Sequence, residues 1–273
     1  MKQFTNSDII LNKNGSIYHL GLKPDQIYPT IITVGDPERV DDVSKYFDSI
    51  DYMTSKREFK SVGGRIGNKS MMVLSTGIGT DNIDIVLNEL ALLVNYDLAS
   101  GQPLAKPKSF NIIRLGTSGS VNPNIELNST VYSRYAIASD SLFDFYNHSF
   151  DTISYLDKNL PVVGCSQKLE KQFYDYQPSI TLTACGFYGP QFRSSNLTAK
   201  YSLADMGEIT YQGNKVGNIE METSAIYGLS GLLGFDSISI NAILANRLTG
   251  EFSLEPHKII DKMIKNALET LCL

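Results

Sequence analysis

Residues 109–120 contain the feature that constrains the fold most, an apolar run that leads directly into small residues. The run 110–115 predicts a short buried strand with one arginine, Arg114, inside it. Glycines and hydroxyl side chains follow at 116–120, and they predict a loop whose backbone N–H groups can approach a ligand closely. An arginine at the carboxyl end of a strand suits an anion in the crevice of an open α/β sheet. An ordinary turn with a structurally paired arginine explains these residues equally well.

The same order of strand, glycine and helix occurs twice earlier in the chain. Residues 30–34 predict a buried strand that ends at Gly35, and Asp36 is a suitable N-cap for the helix that follows. Residues 71–80 combine a second apolar run with a second glycine loop, and apolar residues then recur at helical spacing over 83–94. A strand that ends in glycine just before a helix forms an anion site by backbone geometry alone.

The remaining patterns complete an alternation of strands and helices. Further strands are predicted at 49–75 (two or three, antiparallel), 130–139, 179–185 and 237–244, and further helices begin at Glu220 and Pro256. Two segments predict no regular element, a surface loop at 98–108 and an irregular stretch at 140–160. This alternation predicts an α/β fold with one central, largely parallel or mixed sheet.

Length and charge limit the function classes. A chain of 273 residues is compatible with a single domain, and we expect one domain over 1–273 with a loosely ordered tail at 1–15. The net charge of −5 gives no basic footprint for nucleic acid or an anionic membrane. The three cysteines have no metal-like spacing, and the N-terminus lacks the pattern of a signal peptide, so we expect a reduced, cytoplasmic setting.

Three arginines, Arg39, Arg57 and Arg114, lie near glycines or helix starts. Together with Gly35 and Thr117 they would make a phosphate cradle, because guanidinium groups match phosphate oxygens. The sequence has no Walker motif and no G-x-G-x-x-G, so free phosphate is the most economical ligand. Metal-assisted hydrolysis and serine chemistry have little support, because the sequence lacks HExxH, paired CxxC and nucleophile-elbow motifs.

A second group of residues suits a nucleobase and its sugar. Gln191 can donate and accept in one plane, which matches adjacent O2 and N3–H groups of a pyrimidine, and Arg193 could hold O4. Phe187 would cover a flat ring. Glu222 could accept hydrogen bonds from paired ribose hydroxyls, although it and Glu220 could equally serve as first-turn partners of a helix dipole.

The chain resembles the uridine phosphorylases of the hexameric-type nucleoside phosphorylase family over nearly its whole length. The resemblance depends on eight motifs in the right order: Tyr18-His19-Leu20-Gly21-Leu22, Gly35-Asp36-Pro37-Glu38-Arg39-Val40, Arg57-Glu58-Phe59, Ser75-Thr76-Gly77-Ile78-Gly79, Ile113-Arg114-Leu115-Gly116-Thr117-Ser118-Gly119, Phe187-Tyr188-Gly189-Pro190-Gln191-Phe192-Arg193, Glu220-Met221-Glu222 and Asn246-Arg247.

The resemblance implies a three-layer α/β/α fold and reversible phosphorolysis of uridine to uracil and ribose 1-phosphate. The implied roles fall into four groups: phosphate binding by Gly35, Arg39, Arg57, Arg114 and Thr117; ribose binding by His19, Met221 and Glu222; base binding by Phe187, Gln191, Arg193 and Gly119; and support by Glu220 and Arg247. Within these groups Arg193, Gln191 and Arg114 are expected to be catalytic.

The resemblance also implies a homodimer as the minimal unit, with Arg57 and His19 reaching a neighbouring subunit's site, and a trimer of dimers is a further possibility. No metal or organic cofactor is expected, and inorganic phosphate is a co-substrate. Some relatives bind potassium with the counterpart of Glu58, but 80–82 departs from the usual Gly-Pro-Ser there, and we do not assign that ion.

Other functions stay open at the level of sequence. Purine nucleoside phosphorylases of this fold usually place an aspartate at the end of the late strand, where this chain has 245–247, Ala-Asn-Arg. A hydrolytic nucleosidase would not need the three arginines. A non-catalytic nucleoside-binding protein could keep the pocket, although the retained phosphate arginines argue against it.

Overall fold

The computed structural model describes residues 4–5, 7–155, 158–206 and 209–273, so residues 1–3 and 6 of the N-terminal segment lie outside it. Its strands, in chain order, are β1 (Thr30–Val34), β2 (Ser49–Lys56), β3 (Phe59–Ile66), β4 (Lys69–Ser75), β5 (Tyr96–Asp97), β6 (Gln102–Pro103), β7 (Asn111–Ser120), β8 (Thr130–Ala138), β9 (Asp151–Tyr155), β10 (Lys158–Gly164), β11 (Gln177–Thr183), β12 (Thr210–Tyr211), β13 (Asn214–Lys215), β14 (Asn218–Glu220), β15 (Asp236–Asn246) and β16 (Glu251–Phe252). Its α-helices are α1 (Pro37–Ser44), α2 (Thr80–Asn95), α3 (Gln167–Gln172), α4 (Leu203–Met206), α5 (Thr223–Leu233) and α6 (Pro256–Cys272), and short 3₁₀ helices occur at Pro24–Gln26, Leu142–Phe145 and Gly189–Gln191.

The main sheet is mixed and has the order β16-β15-β8-β11-β14-β7-β1-β4-β3-β2, with the hairpin β9–β10 attached to β8. Strand β1 is parallel to β4 and β7, and β15 is parallel to β7. Because β15 pairs with both β7 and β8, the strands β7, β15, β8, β11 and β14 close into a ring. The predicted α/β fold with a central mixed sheet is confirmed.

Helices cover both faces of this sheet. Neighbouring residues of one strand point to opposite faces, so Ile31 packs in the apolar cluster with α2 and α5, whereas Ile32 packs in the cluster with α1 and α6. Burial on both faces explains why the central strands read as nearly continuous apolar runs. The helices do not cover the sheet edge at the carboxyl ends of β1, β4 and β7, and the loops that follow these strands lie there.

The loop predicted at 116–120 is wrong, because β7 continues to Ser120. Strand β15 pairs with it in parallel from Asn111 to Ser120, and this long partner keeps the small residues in the sheet. Glycine at position 116 was predicted to let the backbone approach a ligand closely, but the structure gives a different reason for it. A Cβ atom at this position would overlap the guanidinium of Arg114, whose side chain lies back over the strand.

Three further expectations need correction. The stretch 140–160 contains most of the hairpin β9–β10, which pairs with β8; residues 156–157 lie outside the described part. The side chains of this stretch are mostly polar or aromatic, so the sequence shows no alternation of apolar and polar residues that would predict a strand. Leu160 and Val162 of β10 are nevertheless buried. Glu220 ends β14 rather than opening a helix, and α5 begins at Thr223 with Glu222 as its N-cap. The loop at 98–108 also contains β6, which pairs with β5.

Candidate active site

A cavity of about 850 Å³ opens at the carboxyl ends of β1, β4, β7 and β14 and beside the end of β15. This is the edge where ligands bind in open α/β sheets. The predicted residues that line it are Gly35, Arg39, Arg114, Thr117, Gly119, Phe187, Gln191, Arg193, Glu220, Met221 and Glu222. Residues far apart in sequence therefore meet in one cavity.

The cavity has two ends, which the course of β7 separates. Arg114 and Gly119 are five residues apart on this strand, a separation of about 16 Å at 3.3 Å per residue. We call the part around Arg114 the inner end; its members are Gly35, Arg39, Arg114, Glu220 and Glu222. We call the part around Gly119 the outer end; its members are Gly119, Phe187, Gln191 and Arg193.

Arg114 is held at the inner end by buried oxygens. Its Nη1 donates to Asn241 Oδ1 at 2.7 Å, and its Nη2 donates to Glu222 Oε2 and lies 3.1 Å from Glu220 Oε2. Burial by itself lowers the pKa of Arg114, but the two carboxylates outweigh burial and raise this pKa above its usual value. The guanidinium therefore stays charged and keeps one orientation.

The two glutamates differ in their other partners. Glu220 Oε2 accepts hydrogen bonds from the backbone N–H groups of Glu222 and Thr223 at 2.9 and 3.0 Å, which caps α5. Burial raises the pKa of Glu220, against the opposing effect of Arg114. Glu222 Oε1 accepts from the backbone N–H of Gly79 at 2.8 Å and so ties the start of α2 to this cluster. Glu220 thus contacts the start of α5 from outside the helix, not as a residue of its first turn, and Glu222 lies at the cavity wall.

Gly35, in the turn between β1 and α1, and Arg39, in the first turn of α1, both line the inner end. The side chain of Asp36 accepts from Glu38 N at 2.9 Å, which confirms the predicted N-cap and fixes the start of α1. Arg39 is half-buried, and burial together with the nearby charge of Arg114 lowers its pKa. Arg39 forms no ion pair with any of the residues that the structure describes.

The outer end is built around the 3₁₀ helix at Gly189–Gln191. Gln191 is buried, and its Oε1 accepts from Arg193 Nη1 at 2.7 Å. The Arg193 guanidinium also donates to the carbonyl oxygen of Phe187 at 2.7 Å and lies 3.8 Å from the centre of the Phe187 ring. Burial and the nearby charge of Arg247 lower the pKa of Arg193 to about 10.

Arg247 lies behind the outer end rather than in the cavity wall. Its Cγ is 3.2 Å from the position that a Cβ of Gly119 would occupy. Burial lowers its pKa, and its Nη1 is buried with no hydrogen-bond partner among the described residues. Arg193 therefore lines the outer end with Arg247 behind it, and neither arginine forms an ion pair with a carboxylate in the described part of the chain.

His19 and Arg57 do not line this cavity. They lie together on another surface of the chain, joined through Tyr18: the Tyr18 and His19 ring centres are 4.8 Å apart, and the Arg57 guanidinium carbon is 5.7 Å from the Tyr18 ring. Arg57 is exposed in the turn between β2 and β3, where its φ of +56° is uncommon for a residue other than glycine. The two residues expected to reach a neighbouring subunit thus form one patch.

Several residues of the site were not found from the sequence. Asn241, which orients Arg114, could have been noticed as the one amide in the run 237–244, whose other polar residues are serines. A register shift in the β7–β15 pairing at 243–245 lets the consecutive residues Leu244 and Ala245 both line the cavity, and no sequence pattern marks such a bulge. Others that sequence reasoning left without a role are Ile78, Asn82 and Phe252, which line the wall, and Glu89, which holds His19.

The described ranges, 4–5, 7–155, 158–206 and 209–273, lack two other kinds of feature. No group of three or more histidine, cysteine, aspartate or glutamate side chains within these ranges could hold a metal ion. Across the same ranges, no helix is both long enough and apolar enough to span a membrane.

A family model described as the phosphorylase superfamily matches residues 29–272. The chain belongs to the phosphorylase superfamily. A uridine phosphorylase from Thermococcus kodakarensis is 24% identical over 272 residues, which cover 99% of this chain and 92% of that protein. A DeoD-type purine nucleoside phosphorylase from a Thermoanaerobacter species is 27% identical over 264 residues, which cover 92% of this chain and 97% of that protein.

A crystal structure of a Trypanosoma brucei nucleoside phosphorylase, described as having uridine phosphorylase activity, superposes with a TM-score of 0.83. It is 29% identical and covers 96% of this chain and 100% of that chain. The resemblance to nucleoside phosphorylases is therefore confirmed, and the chain is an enzyme of this superfamily. Relatives that act on uridine and relatives that act on purine nucleosides match it at similar identity.

Proposed function

We propose that the protein is a uridine phosphorylase, which transfers ribose from uridine to inorganic phosphate and releases uracil and ribose 1-phosphate. The choice of uracil over a purine as the nucleobase depends on one observation. At the outer end the described lining residues include an amide and a guanidinium but no carboxylate, since the carboxylates of the wall belong to Asp36, Glu58, Glu220 and Glu222. Such an end suits carbonyl oxygens and an anionic leaving base, and it lacks an acid that could protonate a purine.

The inner end would hold phosphate and ribose. Arg39, Arg114, Thr117 and the backbone at Gly35 would bind the phosphate, because guanidinium groups and backbone N–H groups suit its oxygens. Met221 and Glu222 would contact the ribose, with Glu222 accepting from its hydroxyls. Arg114 would lie between the phosphate and the ribose, because its side chain contacts Glu222.

Charge balance supports completion of this end by a second subunit. The charge of Arg114 is already matched by two buried carboxylates, so Arg39 is the main uncompensated cation that one chain supplies. A second cation near a phosphate dianion would strengthen its binding through Coulomb attraction. We propose that Arg57 and His19 of a neighbouring subunit enter the cavity, with a homodimer as the minimal unit and a trimer of dimers as its largest form.

Gln191 and Arg193 would read the uracil, over Gly119 and against Phe187, and Arg247 would support Arg193. Arg193 donates to Gln191 Oε1 and stacks on the Phe187 ring, so base binding would move this guanidinium to a uracil oxygen. The low pKa of Arg193 fits this rearrangement, because a base that gains negative charge would compensate an unpaired cation.

The proposed reaction needs no strong base. Phosphate attacks C1′ while the glycosidic bond loosens, so ribose passes through a cation-like transition state. The protein holds phosphate near C1′ and disperses charge on the leaving uracil through Gln191 and Arg193. No metal and no organic cofactor enters this proposal, and the whole chain acts as one cytoplasmic domain.

A purine nucleoside phosphorylase is the second candidate, because DeoD-type relatives match at 27% identity. One assay separates the candidates: release of free base from uridine, thymidine, inosine and adenosine, each with and without phosphate. We expect uracil release that requires phosphate, with inosine and adenosine far slower. Faster release from inosine would favour the purine enzyme, and release without phosphate would favour a nucleosidase. No release from any nucleoside would favour a binding protein.

A further inference from the structure

Six polar side chains form a chain of hydrogen bonds around the ring of strands β7, β15, β8, β11 and β14. The chain passes from one strand to the next, and it begins and ends on β7. The four members between its ends are fully buried. Buried hydroxyl and amide groups cost free energy unless each finds a partner, so apolar side chains would fill this space more simply. In order from the inner end of the cavity, the members are Arg114, Asn241, Ser133, Thr181, Asn218 and Ser118.

The charge of Arg114 sets the direction of the first half of this chain. A guanidinium can only donate, so Asn241 presents its Oδ1 to Arg114 at 2.7 Å and its Nδ2 to Ser133 Oγ at 3.1 Å. The Ser133 hydroxyl therefore accepts from Asn241, and its own proton is left for Thr181 Oγ1, which is 2.5 Å away. Thr181 in turn donates to the amide oxygen of Asn218 at 2.9 Å. Every donor in this half points away from Arg114.

The amide of Asn218 carries the same direction to the outer end. Its Oδ1 lies 2.6 Å from Ser179 Oγ and 2.9 Å from Thr181 Oγ1. The shorter of these distances is typical of O–H···O and too short for a usual N–H···O, so the amide oxygen faces both hydroxyls. The Nδ2 of Asn218 then faces Ser118 and donates to its Oγ at 3.0 Å. No residue in the described part of the chain accepts the Ser118 proton, so this hydroxyl can donate to a ligand.

The position of Ser118 indicates which ligand atom it meets. It lines the cavity between Thr117, which we assign to phosphate, and Gly119, which we assign to the base. A ligand atom at Ser118 is therefore near the bond between base and ribose. In uracil the acceptor next to the glycosidic nitrogen N1 is O2, because C6 on the other side carries only hydrogen. Negative charge develops on O2 as this bond breaks, and a donor fixed there stabilises the transition state.

We propose that Asn218 is a positioning residue that orients the Ser118 hydroxyl as a hydrogen-bond donor to O2 of the leaving uracil. This inference rests on the proposed function. It adds a donor to O2 beside Gln191, and it links the two ends of the cavity, because the direction of the whole chain follows from Arg114. Hydrogen bonds in a directed chain polarise one another, so the last hydroxyl is a stronger donor than an isolated serine.

The first test compares uridine with 2-thiouridine and 4-thiouridine in the unaltered protein and in Ser118→Ala. Sulfur accepts hydrogen bonds more weakly than oxygen, so the ratio of kcat/KM for uridine to that for 2-thiouridine measures the donors at O2. We call this quantity the O2 ratio. Ser118→Ala should lower the O2 ratio about fivefold, the scale of one hydrogen bond. The corresponding ratio for 4-thiouridine should not change, because the intrinsic reactivity of each thio compound is the same in both proteins.

The second test measures the O2 ratio in two Asn218 variants. In Asn218→Asp the new carboxylate only accepts, so the Ser118 proton turns to it and away from O2. This variant should lower the O2 ratio as far as Ser118→Ala does. In Asn218→Ala the hydroxyl loses the donor that holds it, without a buried charge, and the O2 ratio should fall about twofold or more.

The matched control is Ser120→Ala on the same strand. It removes a buried hydroxyl that donates to the carbonyl oxygens of Asn122 and Ile125. Ser120 does not line the cavity, so this control should keep the O2 ratio of the unaltered protein.

Two results would overturn the inference. An unchanged O2 ratio in Ser118→Ala would mean that the hydroxyl does not meet O2. A lowered ratio in Ser118→Ala together with an unchanged ratio in the Asn218 variants would mean that Asn218 does not orient the hydroxyl. The ratio does not depend on the folded fraction, so a destabilised variant still decides, and Asn218→Ala decides alone if Asn218→Asp does not fold. Failure of the proposed function looks different, because the unaltered protein would then release no base from uridine.

Discussion

The inner and outer ends of the cavity use arginine in opposite ways. At the inner end, Arg114 is buried and paired with two carboxylates and an amide oxygen, and these neighbours raise its pKa. At the outer end, Arg193 is half-buried, bonds only to an amide and a backbone carbonyl, and has a pKa lowered to about 10.

This difference separates an arginine that stabilises the fold from an arginine that is available to bind a ligand. Removing Arg114 would leave two buried carboxylates without their counter-charge. Removing Arg193 would free a glutamine and an aromatic ring and would leave no buried charge behind. Substitutions at the two ends should therefore differ in which property they change, and this gives a direct way to test the comparison.

The largest effect is expected for Arg114→Ala. Loss of this partner from a buried charge cluster should lower the free energy of unfolding by about 3–5 kcal/mol and abolish detectable phosphorolysis. Urea denaturation measures the first effect. Adding Glu222→Gln should recover part of the stability, because one of the two orphaned carboxylates is then removed. A cost below about 1 kcal/mol would contradict the assigned role of the cluster.

Arg193→Ala should affect rate rather than stability. We expect kcat for uridine to fall on the order of 10²-fold or more, the scale of one donor to a developing anion. The KM for phosphate should hardly change, and the free energy of unfolding should stay within about 0.5 kcal/mol. Arg65→Ala, which alters only an exposed pair with Asp51, is the control. A near-normal kcat in Arg193→Ala would remove this residue from the outer-end mechanism.

Arg39→Ala should change phosphate binding most. Because Arg39 forms no ion pair with the described residues, its loss strands no buried carboxylate and the fold should tolerate it. A lost charge-assisted hydrogen bond corresponds to a KM for phosphate about tenfold higher or more. Initial rates at varied phosphate and saturating uridine measure this. An unchanged KM would move the phosphate away from Arg39.

The smallest effect is a pH dependence of the outer end. Arg193 has a pKa near 10 instead of its usual higher value, so its charged form is lost as the pH rises through about 10. The kcat/KM of the unaltered protein should therefore fall in this range. Arg193→Ala should lack that component. Ionisation of the substrate's own N3–H affects both proteins alike, so the difference between the two profiles isolates Arg193.

The sequence predicted the local parts of this site better than their arrangement. The strand at 30–34 and the Asp36 cap follow from patterns within a few positions of one another, and both are present. From the 187–193 motif, Phe187, Gln191 and Arg193 line the cavity. The continuation of β7 through its glycines depends on pairing with β15, more than a hundred residues later. Contacts at such a separation have no local signal.

The same reason explains why Asn241 and Glu89 were missed. Each holds a site arginine or histidine through a contact that only the folded chain creates, Asn241 to Arg114 and Glu89 to His19. Motifs identify the residues that meet the ligand, because their chemistry is distinctive. The side chains that orient those residues are ordinary polar groups, and only their burial distinguishes them.

The most direct measurement of the central proposal is phosphorus NMR of the protein with uridine and inorganic phosphate. We predict a sugar phosphate signal that grows as the phosphate signal declines, in a one-to-one ratio with uracil released. Uracil and free ribose with an unchanged phosphate signal would contradict the proposal, because the inner end would then be activating water instead of phosphate.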